Sequence, residues 1–230
     1  MKWNGIELLG GAYHVEDDVV IYNADCRDIL PLLPKVDLVL TDPPYGIGER
    51  TGTVSIQRSY KNDYTLFTDD TEYIKEVVIP IIEHVIKTHE RVILTPGAIN
   101  MMLYQNPDGF GVFYQPATTA LSLWGRADAQ PILYYGRPYD IGKTIKSCSY
   151  KLIEKPSNKE HPCAKPINIW TKILSDRSDV NHIILDPFLG SGTTAVAAKK
   201  LGRKCIGIEI EEKYCKIAVD RLRQSVMRFE

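Results

Sequence analysis

The chain lacks a paired cysteine motif, a long apolar run and an excess of one charge, and each absence excludes a class of protein. Its five cysteines, at positions 26, 148, 163, 205 and 215, are scattered and show no CxxC spacing. This argues against a zinc site and against a disulfide framework, and it indicates a reducing compartment. No apolar run reaches the ~18 residues of a membrane span, and neither end has the pattern of a secretory signal. We therefore expect a cytoplasmic protein without a metal site or membrane contact.

The charge balance gives no overall sign of a polyanionic partner. The 230 residues carry 28 Lys and Arg against 29 Asp and Glu, a net charge of −1, and the length suits one globular domain. Charge is uneven, however, because residues 126–165 contain eight basic and four acidic side chains, a local excess of +4. A basic segment fits a phosphate-facing surface, although a solvated loop has the same composition.

Short apolar runs alternate with amphipathic segments along the whole chain. Two runs, 118–124 and 131–135, lie on either side of Gly125-Arg126-Ala127-Asp128 and are expected to pair as a hairpin. The alternation predicts an α/β fold with a doubly wound, mostly parallel sheet covered on both faces. The other predicted strands are 19–22, 36–40, 91–95, 181–185 and 204–208, and the main predicted helices are 69–86 with a kink at Pro80, 167–174, 193–201 and 213–227.

The segment Thr41-Asp42-Pro43-Pro44-Tyr45-Gly46 closes the predicted strand at 36–40. It lies at a carboxyl strand end, where open α/β sheets bind ligands. Proline fixes its own φ and restricts the preceding residue, so Asp42 and Tyr45 are held in a narrow range of orientations. A carboxylate and a proline carbonyl can accept from a planar amino group while a phenol ring stacks on the nucleobase that carries it. Taken alone, a Pro-Pro pair more often marks a turn.

A second motif, Asp186-Pro187-Phe188-Leu189-Gly190-Ser191-Gly192-Thr193-Thr194, joins a predicted strand to a predicted helix. Its small residues suit a backbone that approaches a ligand closely. Glu209 ends the next strand and can accept from both hydroxyls of a ribose, which indicates a nucleoside cofactor. The spacing Gly190-x-Gly192-x-x-Ala195 with an acid ~20 residues later also fits the dinucleotide fingerprint, so an NAD(P)-dependent oxidoreductase is an alternative. Such an enzyme has no evident use for Asp42 to Tyr45, whereas methyl transfer to an exocyclic amine needs both motifs.

With a third segment, His161-Pro162-Cys163-Ala164-Lys165-Pro166, the chain resembles the amino-methylating DNA methyltransferases that act on adenine N6 or cytosine N4. The motif order is that of their permuted (beta) class, with the catalytic motif first and the cofactor motif last. The resemblance covers nearly the whole chain and suggests a small phage-like or orphan member. It implies a seven-stranded, Rossmann-like, S-adenosylmethionine-dependent methyltransferase fold in one domain, 1–230. Within it, a catalytic half at about 19–115 and a cofactor-binding half at 161–230 would flank a compact recognition insert at about 116–160.

The resemblance also implies a role for each motif. The Asp42 side chain and the Pro43 carbonyl would accept the hydrogens of the target amino group, and Tyr45 would stack on a base flipped out of the duplex. S-adenosylmethionine would lie across the strand ends, with its ribose on Glu209 and its adenine near Asp25. The implied catalytic residues are Asp42, Pro43, Pro44 and Tyr45. The implied cofactor-binding residues are Asp25, Asp42, His161, Lys165, Asp186, Pro187, Phe188, Gly190, Gly192, Thr193, Thr194, Glu209 and Ile210.

The target and the partners follow from the same resemblance. Aspartate at position 42 favours adenine N6, since cytosine-N4 enzymes of this kind more often carry serine there. About 115 residues separate Tyr45 from His161, which leaves no room for a large recognition domain. A compact recognition insert, a homodimer or a partner protein could each supply sequence specificity, and a restriction endonuclease is a separate candidate partner. The alternatives are cytosine N4, a non-catalytic subunit that binds S-adenosylmethionine or DNA, and methylation of RNA or of a protein amide nitrogen. The candidate DNA-binding cations are Arg50, Arg58, Lys61, Arg126, Arg137, Lys143, Lys146 and Lys151.

Overall fold

The structure is a computed structural model that describes residues 2–3, 6–7, 10–16, 18–46, 69–114, 121–122, 125–126, 128–138, 146–151 and 166–226. Its strands are β1 (Lys2–Trp3), β2 (Ile6–Glu7), β3 (His14–Val15), β4 (Val19–Asn23), β5 (Leu38–Thr41), β6 (Arg91–Leu94), β7 (Gly109–Tyr114), β8 (Leu121–Ser122), β9 (Gly125–Arg126), β10 (Ala129–Gly136), β11 (Tyr150–Lys151), β12 (Ile183–Asp186) and β13 (Lys204–Glu209). Its α-helices are α1 (Cys26–Ile29), α2 (Thr71–Tyr73), α3 (Ile79–Thr88), α4 (Ile167–Arg177), α5 (Thr193–Lys200) and α6 (Glu212–Val226). Among these described helices, none has both the length and the apolar character that crossing a membrane requires.

Nine of the described strands form one sheet, in the order β11-β7-β10-β6-β5-β12-β13-β4-β3. The five strands β4, β13, β12, β5 and β6 run parallel, whereas β10 is antiparallel to both β6 and β7. The prediction of a doubly wound, mostly parallel sheet is confirmed. Seven strands, from β7 to β4, make the expected central sheet, and the two-residue strands β11 and β3 extend its edges.

Alternate residues of each central strand face opposite sides of the sheet, and helices cover both sides. In β5, Leu38 and Leu40 pack into the core that contains Trp170 of α4. Val39 belongs to the opposite core, which contains Ile82 of α3. All five side chains are buried, which explains why the parallel strands appear in the sequence as unbroken apolar runs.

The long helix after residue 69 contains the irregularity that Pro80 predicts. Asp70 caps its start, because its Oδ1 accepts from the Tyr73 N–H at 2.7 Å. A π-helical turn, Ile74–Val78, then joins α2 to α3, and the Ile79 N–H donates to the Ile74 carbonyl five residues earlier. Proline lacks an N–H and its ring crowds the carbonyl four residues before it, so a wider turn just ahead of Pro80 removes the conflict.

The predicted hairpin between 118–124 and 131–135 is wrong. Strand β10 pairs with β6 and β7, while β8 pairs with β9. Residues 129–136 therefore lie inside the main sheet, although they fall within the range expected for the recognition insert. Sequence patterns also miss β7, because its glycines after Pro107-Asp108 indicate a turn. Gly111 is needed there, since a Cβ at this position would lie 1.7 Å from the Cys148 carbonyl oxygen.

Candidate active site

The site lies where the strand order reverses. Strands β12 and β5 are neighbours, but the chain continues from β12 to β13 on one side and from β5 to β6 on the other. The two connections leave in opposite directions and open a crevice at the carboxyl ends of these strands. Asp186 ends β12 and Asp42 follows β5, so the structure brings the two predicted motifs together at this crevice.

Asp186 lies beneath the crevice, and its side chain joins three elements. Its Oδ1 accepts from Thr41 Oγ1 at 2.7 Å and from the Phe188 N–H at 3.1 Å. Its Oδ2 accepts from Thr194 Oγ1 at 2.6 Å, and Thr194 accepts in turn from Trp170 Nε1 at 3.0 Å. Burial raises the pKa of Asp186 to about 6, although the hydrogen bonds oppose the shift. Asp186 and Thr194, expected to contact a cofactor, are thus interior residues that fix β12, β5 and α5 relative to one another.

Asp42 is half-buried and is held from two loops. Its Oδ1 accepts from the Tyr45 hydroxyl at 2.5 Å and from the Thr95 hydroxyl. Thr95 follows β6, and its N–H also donates to the Thr41 carbonyl at 3.2 Å. These contacts set the rotamer of the Asp42 carboxylate. Sequence analysis did not assign Thr95, but its place at a strand end next to that of Asp42 is a signal that could have identified it.

Three contacts hold Tyr45 in place, through its ring, through its carbonyl and through the next residue, Gly46. Its ring packs against Gly97, where a Cβ would lie 2.9 Å from the ring and where φ is +70°. Its carbonyl accepts from Asn100 Nδ2 at 2.7 Å, and the Gly46 N–H donates to Asp69 Oδ1 at 2.6 Å. No local pattern indicates Asn100 or Asp69, because each bond joins residues more than 20 positions apart.

The two glycines of the second motif have different roles. Both have positive φ, but only Gly190 has open space, with nothing within 4 Å of the position of a Cβ. At Gly192 a Cβ would lie 2.6 Å from the Cβ of Ala218, so this glycine is required by packing against α6. The structure thus gives Gly192 a packing role against α6, and it leaves open space for a ligand at Gly190.

Glu209 lies at the end of β13 beside Gly190. Its Oε2 accepts from the Gly190 N–H and its Oε1 from the Glu211 N–H, both at 2.8 Å. Burial raises the pKa of Glu209 to about 7 against the effect of these two bonds. An ionised carboxylate has about four acceptor positions, so each oxygen can take one more donor, such as a ribose hydroxyl. Ile210, the next residue, is half-buried.

Asp25 follows β4, at the same edge of the sheet, but its carboxylate is engaged locally. Arg27 Nη2 donates to its Oδ2 at 2.6 Å, and the Arg27 N–H donates to its Oδ1 at 2.9 Å, which caps α1. The hydrogen bond from Arg27 lowers the pKa of Asp25. Asp25 therefore carries an internal partner, which the isolated strand-end pattern did not reveal.

Arg221 of α6 supports the glycine-containing loop. Its Nη1 donates to the Ser191 carbonyl at 2.7 Å, to Ser191 Oγ at 2.9 Å and to Thr193 Oγ1 at 3.2 Å. One guanidinium thus holds the turn between Gly190 and α5. Sequence analysis did not assign it, because an arginine on an amphipathic helix has no distinguishing local signal.

The expected DNA-binding cations are only partly described, and those whose side chains the structure describes do not form one group. Lys151 ends β11, which is parallel to β7. Strand β7 runs in the same direction as β6 and β5, because β7 and β6 are both antiparallel to β10, so Lys151 lies at the same carboxyl edge of the sheet as Asp42. Arg137 follows β10, whose end pairs with Arg91 at the start of β6, so it lies at the opposite edge. Lys146 is exposed, and its carbonyl accepts from Arg177 at the end of α4. Arg126 is described only by its backbone in β9, and Arg50, Arg58, Lys61, Lys143, His161 and Lys165 lie outside the described residues.

Known proteins resemble the chain over most of its length. The N6_N4_Mtase family, described as DNA methylase, matches residues 118–220. The Type II methyltransferase M2.LlaDCHI of Lactococcus lactis subsp. cremoris is 28% identical, over 97% of this chain and 96% of its own. The putative methylase YubD of Escherichia coli (strain K12) is 30% identical, over 86% of this chain and 87% of its own.

Solved structures share the fold. The M1.HpyAVI–SAM complex aligns with a TM-score of 0.59 at 23% identity, covering 89% of this chain and 98% of that one. The PvuII DNA methyltransferase (cytosine-N4-specific) aligns with a TM-score of 0.64 at 16% identity, covering 89% of this chain and 86% of that one. The fold, the motif order and these relatives establish that the chain belongs to the N6-adenine and N4-cytosine family of amino-methylating DNA methyltransferases, whose methyl donor is S-adenosylmethionine.

Proposed function

We propose that the protein methylates the exocyclic N6 of adenine in double-stranded DNA, on a base flipped out of the helix. The observation that carries this proposal is the fixed Asp42 carboxylate, which Tyr45 and Thr95 both hold at the crevice that Glu209 borders. The aspartate at position 42 supports adenine over cytosine, because serine is more common there in cytosine-N4 enzymes. The cytosine-N4 reaction is the second candidate, since a cytosine-N4-specific enzyme has the same fold.

The side chains around Asp42 suit the chemistry of an aromatic amine. The lone pair of such an amine is delocalised into the ring, so the nitrogen is a weak nucleophile. The Asp42 carboxylate and the Pro43 carbonyl would accept the two amino hydrogens and favour a tetrahedral nitrogen. Tyr45 packs on Gly97 with its ring and is half-buried, which would let the flipped base stack against it.

The residues on the other side of the crevice suit a nucleoside that carries an amino acid. S-adenosylmethionine supplies the activated methyl group when bound, a chemistry that protein side chains lack. Glu209 would accept from its ribose hydroxyls, and the open side of Gly190 would allow close approach of the backbone. Ile210 would lie near the adenine, and Phe188 and Thr193 near the methionine part. Asp186 and Thr194 would support this site from beneath.

The methylated nucleoside that the reaction yields identifies the target base. The protein is incubated with unmethylated DNA and methyl-labelled S-adenosylmethionine, and the DNA is digested to nucleosides for mass spectrometry. We expect labelled N6-methyladenine. Labelled N4-methylcytosine would keep the mechanism and overturn the choice of base, whereas S-adenosylmethionine binding without DNA product would favour a binding subunit or another substrate.

Asp42→Asn should abolish turnover and spare cofactor binding. The amide keeps the shape of the carboxylate but loses the charge and one acceptor, so we expect kcat to fall by about 10²–10⁴-fold. The Kd for S-adenosylmethionine, measured by calorimetry, should stay within about twofold. Asp28→Asn, an exposed change on α1, is the matched control. An equal loss of cofactor affinity in the Asp42 variant would contradict a role confined to chemistry.

Arg221→Ala should weaken cofactor binding without slowing chemistry. The variant loses the three hydrogen bonds that hold Ser191 and Thr193, so we expect a Kd for S-adenosylmethionine about tenfold higher, equivalent to about 1.4 kcal/mol. At saturating cofactor, kcat should change little. Arg223→Ala on the same helix is the control, because that side chain is exposed and pairs at 3.8 Å with Asp220. Indistinguishable values for the two variants would contradict this role.

Cofactor affinity should rise with pH around the pKa of Glu209. Burial raises that pKa to about 7, so the carboxyl is protonated at lower pH and has fewer acceptor positions for ribose hydroxyls. Ribose binding favours the ionised form, so the Kd should increase by up to about tenfold per pH unit below 7 and level off above pH 8. Glu209→Gln should bind weakly at every pH, whereas exposed Glu212→Gln should keep the wild-type profile. A pH profile unchanged by Glu209→Gln would show that another group titrates.

A further inference from the structure

The turn after β6 exposes apolar side chains that the proposed reaction does not use. Met102 is 83% exposed and Ile99 is 47% exposed, and Leu103 lies beside them at 36%. They belong to an uncharged stretch, 96–107, in a chain of which 25% is charged. Single exposed apolar residues are normal, but a contiguous group of them marks an interaction surface.

The same turn is bonded to the active site. Asn100 is 4% exposed and donates to the Tyr45 carbonyl at 2.7 Å, and its own carbonyl accepts from the Leu103 N–H at 3.0 Å. Consecutive Cα atoms are about 3.8 Å apart, so the Cα of Met102 lies at most about 7.6 Å from that of Asn100. Ile99 is adjacent to Asn100. Ile99 and Met102 therefore lie within two positions of the residue that is bonded to the loop of Asp42 and Tyr45.

We propose that Ile99 and Met102 form a wedge that enters the DNA base stack beside the target base and fills the gap that flipping leaves. This inference rests on the proposed function. An apolar, uncharged surface suits the stacked bases, which are the apolar part of a duplex, whereas a surface facing phosphates would carry cations. Apolar side chains inserted between base steps unstack them, and an unbranched methionine adapts to an irregular gap.

A second copy of the chain fits this surface less well. A standard protein interface buries about 800 Å² on each partner, far more than three partly exposed side chains provide. The surface is also continuous with the catalytic loop through Asn100, so a ligand on the turn would lie next to Asp42. DNA held at the active site meets this condition.

The test measures base flipping and turnover in the double variant Ile99→Ala with Met102→Ala. The substrate is a duplex that the wild type methylates. For the fluorescence measurement 2-aminopurine replaces the target adenine, and for the kinetic measurement the adenine is kept. We expect weaker flipping fluorescence, a kcat/KM at least about tenfold lower, and an unchanged Kd for S-adenosylmethionine. Placing an abasic site opposite the target removes most of the pairing that opposes flipping, so this duplex should restore kcat/KM to within about threefold of wild type.

Two further variants complete the design. Met102→Leu keeps the apolar volume and should retain wild-type flipping. Leu32→Ala is the matched control, because Leu32 is 60% exposed in a short 3-10 turn, Leu30–Leu32, as Met102 is in the 3-10 turn Met101–Leu103. Leu30–Leu32 precedes the amino end of β5, at the edge of the sheet opposite the site. This variant should leave flipping and turnover unchanged.

Each contrary result has a distinct meaning. A double variant that flips and turns over like Leu32→Ala overturns the wedge. A defect that persists on the abasic duplex also overturns it and assigns the turn to support of the catalytic pocket. A wild-type dimer that the double variant dissociates, seen by light scattering, identifies the turn as a subunit interface instead. If the wild type methylates no duplex at all, the proposed function fails and the wedge fails with it.

Discussion

One buried carboxylate joins the two halves of the site. Asp186 accepts from Thr41, which precedes Asp42, and from Thr194 in the first turn of α5. An ionised group in the interior costs several kcal/mol unless it is hydrogen-bonded, and hydrogen bonds to charged groups contribute about 1.5–3 kcal/mol each. With three such bonds the pKa of Asp186 rises only to about 6, so the carboxylate is mostly ionised at neutral pH. The position of the loop that contains Asp42 relative to the glycine-containing loop therefore depends on this group.

The register between β5 and β6 then sets the position of Asp42 beside Thr95. Thr41 pairs with Leu94, so the residues that follow them, Asp42 and Thr95, emerge side by side at the end of the sheet. A one-residue slip would turn every side chain of β6 to the other face and remove Thr95 from Asp42. Because both strands are buried on both faces, such a slip would also exchange the side chains that pack into the two cores. Packing of the core and alignment of the reactive groups are therefore the same constraint.

Features that depend on neighbouring residues in the sequence could be predicted from the sequence. The parallel strands and the two loops that follow Asp42 and Asp186 could be predicted, because buried strands are apolar runs and ligands bind at their carboxyl ends. Contacts between distant parts of the chain could not. Asn100 is 55 positions from Tyr45, and Gly192 is constrained by Ala218 of another helix. A motif glycine that touches a helix and one that faces open space look identical in the sequence.

The energetics of base flipping explain why a compact enzyme would use the turn after β6. Extracting a base costs a few kcal/mol, and stacking on one aromatic such as Tyr45 returns about 1–3 kcal/mol. Stacking alone therefore leaves the flipped state close to balance. Burying an exposed side chain of the size of Met102 contributes about 1.5–3 kcal/mol more, enough to make the flipped state the dominant one. Since Asn100 bonds to the Tyr45 carbonyl and lies two residues before Met102, one hydrogen bond links the turn that would fill the gap to the residue that would receive the base.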